Sequence, residues 1–407
     1  MKFNWKSLVL AVMITGFASG YCGQESVTCR ESGTSFAKDA VMPFIESGEI
    51  PGIINVFSKG NVQETTCAGW ADVDKKIPMS MDRMFMQCSQ TKGFCGVTVA
   101  MLIEEGKISL DDPVAKYLPE FKELKVKVKG KKKPVAAKNV LTVRMVMNHT
   151  GGFPFELPNF HSMGGWSRRM PLRSVALVAA SQPILFEPGT RQQYSNVGID
   201  IGAAVVERVT GKRWEDFLKE RVFLPLGMKD SSFWPTEAQL ANQVHLYQCR
   251  KGKPAAWQSC NPSMQRPYSD DRVFSSAGAG LWTTARDQLK FYKMLMNLGV
   301  GENGARILKE ETMKSILAVS TRPNGLGGYS LGLSAPVKDG ENEWFGHGGA
   351  WGTNCMVNWH KKQLKLWAVQ LTGGPRPWDK ARENAANAFF KATLDTAGEK
   401  AYTGRLK

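Results

Sequence analysis

The sequence predicts an α+β fold: one sheet completed by both chain ends, with a helix-rich part between the two groups of strands. Three observations predict it. Apolar runs with strand character fall near the start, at 52–57 and 64–70, and again near the end, at 328–335, 343–347, 353–359 and 364–371. Between them, residues 141–295 carry helical spacing broken by loops containing Pro, Gly and Trp. A last stretch, 378–396, sets Ala381, Ala385, Ala388 and Phe389 on one side, the stripe by which an amphipathic helix packs on a core. No repeat of 20–50 residues recurs, which argues against a propeller or solenoid.

The elements follow in order. Lys2 and Lys6 precede an apolar run from Leu8 to Phe17, and the small residues Ala18 and Gly20 come just before Tyr21. This is the layout of a secretory signal peptide. The run is about half of the roughly 20 residues a spanning helix requires. Residues 1–20 are therefore expected to direct export to the periplasm or extracellular space, with no transmembrane segment after their removal. An N-terminal segment (21–34) and one domain (35–397) remain. Within 35–48, Ala37, Val41, Phe44 and Ile45 form a helical stripe. Residues 52–57 then read as a strand and 64–70 as its partner. Near-continuous apolar content from Phe94 to Ile103 predicts a buried helix stopping at Gly106, and it falls in the helix-rich part, about 89–295. Residues 122–138 (KELKVKVKGKKKPVAAK) alternate Val with Lys around Gly130 and read as a solvated hairpin. Residues 196–210 repeat small and apolar side chains at helical spacing before Gly211.

Composition narrows the function classes. Of 407 residues, 43% are hydrophobic and 22% charged, with 12 Trp and 20 Phe, a usage that disordered chains lack. Lys plus Arg exceed Asp plus Glu by 53 − 37 = 16, and much of that excess lies in 122–138. That insert has no aromatic residue beyond Phe121 at its edge, whereas single-strand nucleic-acid binders stack bases on aromatics. Nucleic acid is thus excluded as a partner, and loose attraction to anionic envelope polymers fits the insert better. Eight cysteines suit an oxidising compartment. No C-x-x-C or H-x-x-x-H pattern occurs, so no metal site is expected. Cys249 and Cys260 flank RKGKPAAWQS as a candidate loop-closing disulfide, while Cys88 and Cys95 read as packed thiols.

The chemical signal is Ser89-Gln90-Thr91-Lys92 at the start of the buried helix. Side chains three apart on a helix are neighbours, about 5–6 Å between Cβ atoms, so a hydroxyl and an amine meet there. Serine attacks only when a nearby base takes its proton. A helix N-terminus adds backbone N–H groups that favour developing negative charge.

The stretch from Phe85 to Phe121 resembles the serine β-lactamase-like family, which comprises class C β-lactamases, D-alanyl-D-alanine carboxypeptidases and related esterases. In that family the S-x-x-K helix is followed by G-K-[IL]-x-L-D-D-x-V-x-x-[YF]-L-P, matched here by Gly106 to Pro119. Leu141-Thr142-Val143-Arg144 through His149-Thr150-Gly151-Gly152 resembles its L-T-[IV]-R…H-T-[SG]-G stretch. Phe186-Glu187-Pro188-Gly189 to Tyr194-Ser195-Asn196 resembles its F-x-P-G…Y-S-N. The likeness runs from about residue 35 to about 395 and implies a β-lactamase/transpeptidase-like fold, an antiparallel sheet flanked by helices plus a helix-rich subdomain.

The resemblance further implies site residues. Tyr194 would join Ser89 and Lys92 as catalytic groups, with the choice of Lys92 or Tyr194 as base left open. Asn196 would orient Lys92 or bind a substrate amide. Gly346-His347-Gly348-Gly349-Ala350 stands where the family has K-T-G or H-x-G on an edge strand. It implies substrate binding along His347, Gly348 and Gly349, and an oxyanion hole made by the N–H groups of Ser89 and Ala350. Histidine at 347 in place of lysine removes a permanent charge suited to carboxylates and favours ester or peptide substrates. His149 reads as a turn-stabilising residue rather than a base. His161, Trp166, Arg168 and Arg169 sit in a loop that could line the cleft or the surface. No G-x-S-x-G elbow is present, which disfavours an α/β-hydrolase.

The expected function is an exported serine hydrolase that cleaves a small-molecule ester, an amide or a peptidoglycan-like D-amino-acid peptide through an acyl-serine, with no metal or organic cofactor. The alternatives are a β-lactamase, a penicillin-binding D-alanyl-D-alanine carboxypeptidase, acyl transfer to an acceptor other than water, and a ligand-binding member of the fold without turnover.

Overall fold

The computed structural model describes residues 28–31, 36–60, 62–158, 170–249, 257–260, 273–317, 328–335, 344–372 and 377–396. The expected signal peptide and the loop holding His161, Trp166, Arg168 and Arg169 lie outside the described residues. The main elements are β1 (Thr28–Glu31), β2 (Gly52–Lys59), β3 (Val62–Asp72), α1 (Thr91–Glu104), α2 (Leu172–Ser181), α3 (Asn196–Thr210), α4 (Ala285–Met296), β4 (Phe345–Gly349), β5 (Thr353–Asn358), β6 (Gln363–Ala368) and α5 (Pro377–Thr396).

The strands form one sheet in the order β1-β3-β2-β6-β5-β4, with Ile77–Pro78 also paired to β3. Strands from the two chain ends meet where β2 pairs with β6, Val56 opposite Leu366. Every pair on this path is antiparallel except β1 with β3. Alternation along β2 sends Ile53 and Phe57 to one face and Ile54 and Val56 to the other. The first pair packs with Trp367, Ala385 and Phe389 under α5. The second joins Leu366, Phe94, Val205 and Phe291 in the larger core shared with the helical part. Both faces being covered explains why GIINVF is apolar throughout rather than alternating.

Several sequence expectations are refined. The 35–48 helix is two short pieces, Phe36–Asp39 and Met42–Glu46, and Pro43 opens the second, where its missing N–H costs nothing. The lysine-rich hairpin is present but pairs only Lys125–Val126 with Val135–Ala136. Two expectations are overturned. Residues 328–335 are not a strand but a turn closed by Ser330 N–H to Leu333 O at 2.9 Å and Gly332 N–H to Met147 O at 3.0 Å. Gly332 has φ +69°, and a Cβ there would clash with the Lys92 carbonyl. The apolar alternation arises because Leu331 and Leu333 pack down onto the glycine face of α1, at Gly96 and Gly93. The expected Cys249–Cys260 disulfide does not fit the backbone either. The strands Leu246–Cys249 and Trp257–Cys260 pair with Cys249 opposite Trp257 and Cys260 opposite Leu246. At about 3.4 Å per residue along a strand, their Cα atoms lie beyond the roughly 7 Å a disulfide spans. Cys88 and Cys95 are buried free thiols, as read. Among the described residues no helix is long and apolar enough to cross a membrane.

Candidate active site

Ser89 lies in a 3-10 turn, Cys88–Gln90, that runs into α1. The turn is pinned from three sides. Thr91 Oγ1 donates to Cys88 O at 2.7 Å, Leu281 N–H donates to Thr91 Oγ1 at 3.2 Å, and Gln87 N–H donates to Leu281 O at 2.9 Å. Cys88 takes φ +48°, a conformation rare for a residue with a side chain, which tips Ser89 out of the buried helix. Every residue from Thr91 to Leu102 is buried. Lys92 is therefore an amine on a fully enclosed helix face. It donates to Ser89 Oγ at 3.2 Å, Asn196 Oδ1 at 2.5 Å and Gly278 O at 2.7 Å.

Burial disfavours the ammonium and pulls Lys92 from its ordinary 10.5 down to about 7, against the opposing pull of Asp200 and Glu156. Asp200, on α3, also builds the loop that supplies Gly278 O. Its Oδ1 accepts from Ser276 Oγ at 3.2 Å and Gly278 N–H at 3.1 Å.

Tyr194 and Asn196 arrive through the turn at His149. That residue has φ +67°, and Ser195 N–H donates to its Nδ1 at 3.2 Å. Gln193 N–H donates to His149 O at 2.9 Å. Ser195 then caps α3, its Oγ accepting from Gly198 N–H at 3.0 Å. His149 is thus a turn-building residue, and burial holds it neutral, well below the ordinary histidine range. The Tyr194 ring lies 4.6 Å from Lys92 Nζ, and its hydroxyl faces Ser89. Burial pushes the Tyr194 hydroxyl strongly up, so the phenol stays protonated at neutral pH. The two candidate bases are therefore displaced in opposite directions.

His347 sits on β4, the edge strand, with its ring buried. Its Nδ1 bonds Gly348 O at 2.5 Å. A carbonyl only accepts, so Nδ1 carries the proton and Nε2 is left as the acceptor facing Tyr194 OH at 3.5 Å. Burial, aided by the nearby Lys92, lowers His347 from 6.5 to about 3. Gln90 ties this strand to the nucleophile turn, its Nε2 donating to His347 O at 2.9 Å and its Oε1 accepting from Gln288 Nε2 at 2.7 Å. Gly349 lies so close to the Gln87 carbonyl that any Cβ would clash with it. The N–H groups of Trp351 and Ala350 point to the Cys88 sulfur, whose thiol burial pushes up to about 12.

The structure thus gathers Ser89, Lys92, Tyr194, Asn196 and His347 into one site bounded by the Gly348–Ala350 segment. Sequence reading missed Gln90, Glu156, Gly278 and Tyr329. Tyr329 packs its ring 4.7 Å from His149 and 5.8 Å from His347, from the turn misread as a strand. Two of the longer matched motifs prove to be scaffold, since Arg144 of L-T-V-R makes a two-pronged bond to Asp111 of L-D-D, both at 2.9 Å.

Comparison with known proteins agrees with this architecture. The profile of the Beta-lactamase family matches residues 37–389. An uncharacterized protein of Mycobacterium tuberculosis is 28% identical over 281 residues, covering 66% of this chain and 68% of that protein. The LovD6 mutant of simvastatin synthase (LovD) from Aspergillus terreus superposes with a TM-score of 0.72 at 20% identity, over 89% of this chain and 96% of the other. The octameric penicillin-binding protein homologue from Pyrococcus abyssi does so with a TM-score of 0.64 at 22% identity, over 90% and 78%. Both structural likenesses establish the fold.

Proposed function

The chain belongs to the Beta-lactamase family, and from that membership we propose that it is a serine hydrolase acting on an ester or a D-amino-acid amide through an acyl-Ser89 intermediate. One observation carries the reading: a buried amine, lowered to about 7, lies within hydrogen-bond reach of the Ser89 hydroxyl, 3.2 Å away. A base is most effective when its proton affinity lies near the working pH, and here Lys92 rather than Tyr194 meets that condition. Neutral Lys92 takes the proton of Ser89 as Oγ bonds to the acyl carbon. The N–H groups of Ser89 and Ala350 hold the resulting oxyanion, which displaces the Cys88 thiol, a weak acceptor, from the Ala350 N–H. Tyr194 hands its proton to the leaving group as the bond to the acyl carbon breaks, and is reprotonated from Lys92. Water then attacks the acyl-serine by the same steps in reverse order.

His347 selects among acyl donors. A neutral imidazole with Nδ1 committed to Gly348 O offers no charge to a carboxylate, which favours uncharged esters and amides over β-lactams. We further propose export, on the Lys2–Lys6, apolar and Ala18–Gly20 pattern of the first 20 residues. The test compares turnover of a p-nitrophenyl ester, a D-alanyl anilide and a penicillin by the wild type and Ser89→Ala. Ester or anilide hydrolysis that disappears in Ser89→Ala is expected. Turnover that survives in Ser89→Ala sinks the proposal, and tight binding without turnover in either protein replaces it with a ligand-binding role.

A further inference from the structure

The turn that carries His149 also brings in a carboxylate that no motif singled out. Pro154 O accepts from Ser195 Oγ at 2.7 Å and Phe155 O from Asn196 N–H at 3.0 Å, so residues 154–156 run along the start of α3. Glu156 Oε1 thereby accepts from Asn196 Nδ2 at 2.6 Å, while Asn196 Oδ1 accepts from Lys92 Nζ at 2.5 Å. A carboxylate only accepts and an ammonium only donates. An amide held between them has one orientation that satisfies both.

We propose that Glu156 is a positioning residue of this site, locking the Asn196 amide with its oxygen toward Lys92 and setting a negative charge close enough to govern how tightly Lys92 holds its proton. The proposal rests on the reading of Lys92 as the group that deprotonates Ser89. The groups facing Lys92 are Ser89 and Cys88 from the nucleophile turn, Asn196 and Asp200 from α3, and Gly278 O from the 273–280 loop. The Tyr194 ring and the neutral His149 and His347 complete the surroundings. Two carboxylates act on Lys92, Asp200 from that set and Glu156 behind Asn196, and they act differently. Asp200 holds the backbone that presents Gly278 O, whereas Glu156 reaches Lys92 through a side-chain amide that is otherwise free to turn over.

Glu156→Gln keeps the size, removes the charge, and can offer Asn196 either end of its own amide, so the lock is lost. Both changes weaken proton binding at Lys92. The acid limb of kcat/KM for ester hydrolysis is expected to move down by about one pH unit. The 13C titration of the buried Lys92 in lysine-labelled free enzyme should move by the same amount. Glu156→Asp keeps the charge but is one methylene too short for the amide, so its limb should move less while its plateau kcat falls. A Lys92 titration unchanged in Glu156→Gln overturns the proposal. Should that variant fail to fold, an unchanged titration and plateau in Glu156→Asp overturns it equally. The titration is read without turnover. A shifted titration in an enzyme that hydrolyses nothing therefore keeps the role of Glu156 and removes the hydrolase reading, and an unshifted one in an active enzyme does the reverse.

Discussion

Protonating Lys92 should switch the enzyme off and destabilise its fold together, over a pH range set by its burial. The amine is lowered from 10.5 to about 7, about 5 kcal/mol of preference for the neutral form. The sign follows from the direction. The folded state binds this proton less tightly than the unfolded chain, so between pH 7 and 10.5 the unfolded chain carries more protons and stability rises with pH. From Lys92 alone the gain between pH 7 and 8.5 is about 1–2 kcal/mol, in a window below the titration of the raised thiols. Lys92→Met abolishes it. Urea unfolding at both pH values should therefore show the wild type gaining about that much relative to Lys92→Met. Ester kcat/KM should be half-maximal near pH 7 and fall about tenfold per unit below it. An acid limb near pH 4–5, or a wild type and Lys92→Met of identical pH slope, would refute the assignment of a depressed amine beside Ser89.

Two further substitutions have defined outcomes. Tyr194→Phe removes a protonated hydroxyl that faces Ser89, and ester kcat should drop by about a hundredfold or more, the usual yield of a general acid, with KM nearly unchanged; stopped-flow kinetics check this, and wild-type kcat would exclude Tyr194 from proton transfer. Gly349→Ala inserts a methyl against the Gln87 carbonyl and Thr353 Oγ1. Overpacking of this kind costs about 1–3 kcal/mol, so thermal unfolding should shift down and acylation slow, and a variant of native stability and rate would show that β4 does not need that close approach.

The layout was largely legible before the structure because its signals are local. The buried S-x-x-K helix, α3 with Gly211 behind it, the meeting of β2 with β6 and the closing helix all follow from apolar spacing and stop residues. What escaped was set by tertiary contact. Leu331 and Leu333 alternate like a strand, yet they straddle a turn pressed onto the glycine face of α1. Cys249 and Cys260 flank a loop in sequence, but the hairpin register puts them at opposite ends. Glu156 belongs to no matched motif, and only the hydrogen bonds binding residues 154–155 to the start of α3 bring it to Asn196. Its one local signal was an acidic residue directly after the apolar run Phe153-Pro154-Phe155.

The most direct test of the central claim is intact-mass spectrometry of the folded protein after brief exposure to a fluorophosphonate, followed by peptide mapping. An activated Ser89 predicts a single stoichiometric adduct on the peptide holding Ser89-Gln90-Thr91-Lys92, formed faster at pH 8 than at pH 6 and absent from Ser89→Ala. Folded protein that stays unmodified, or carries the label on another residue, would contradict the account.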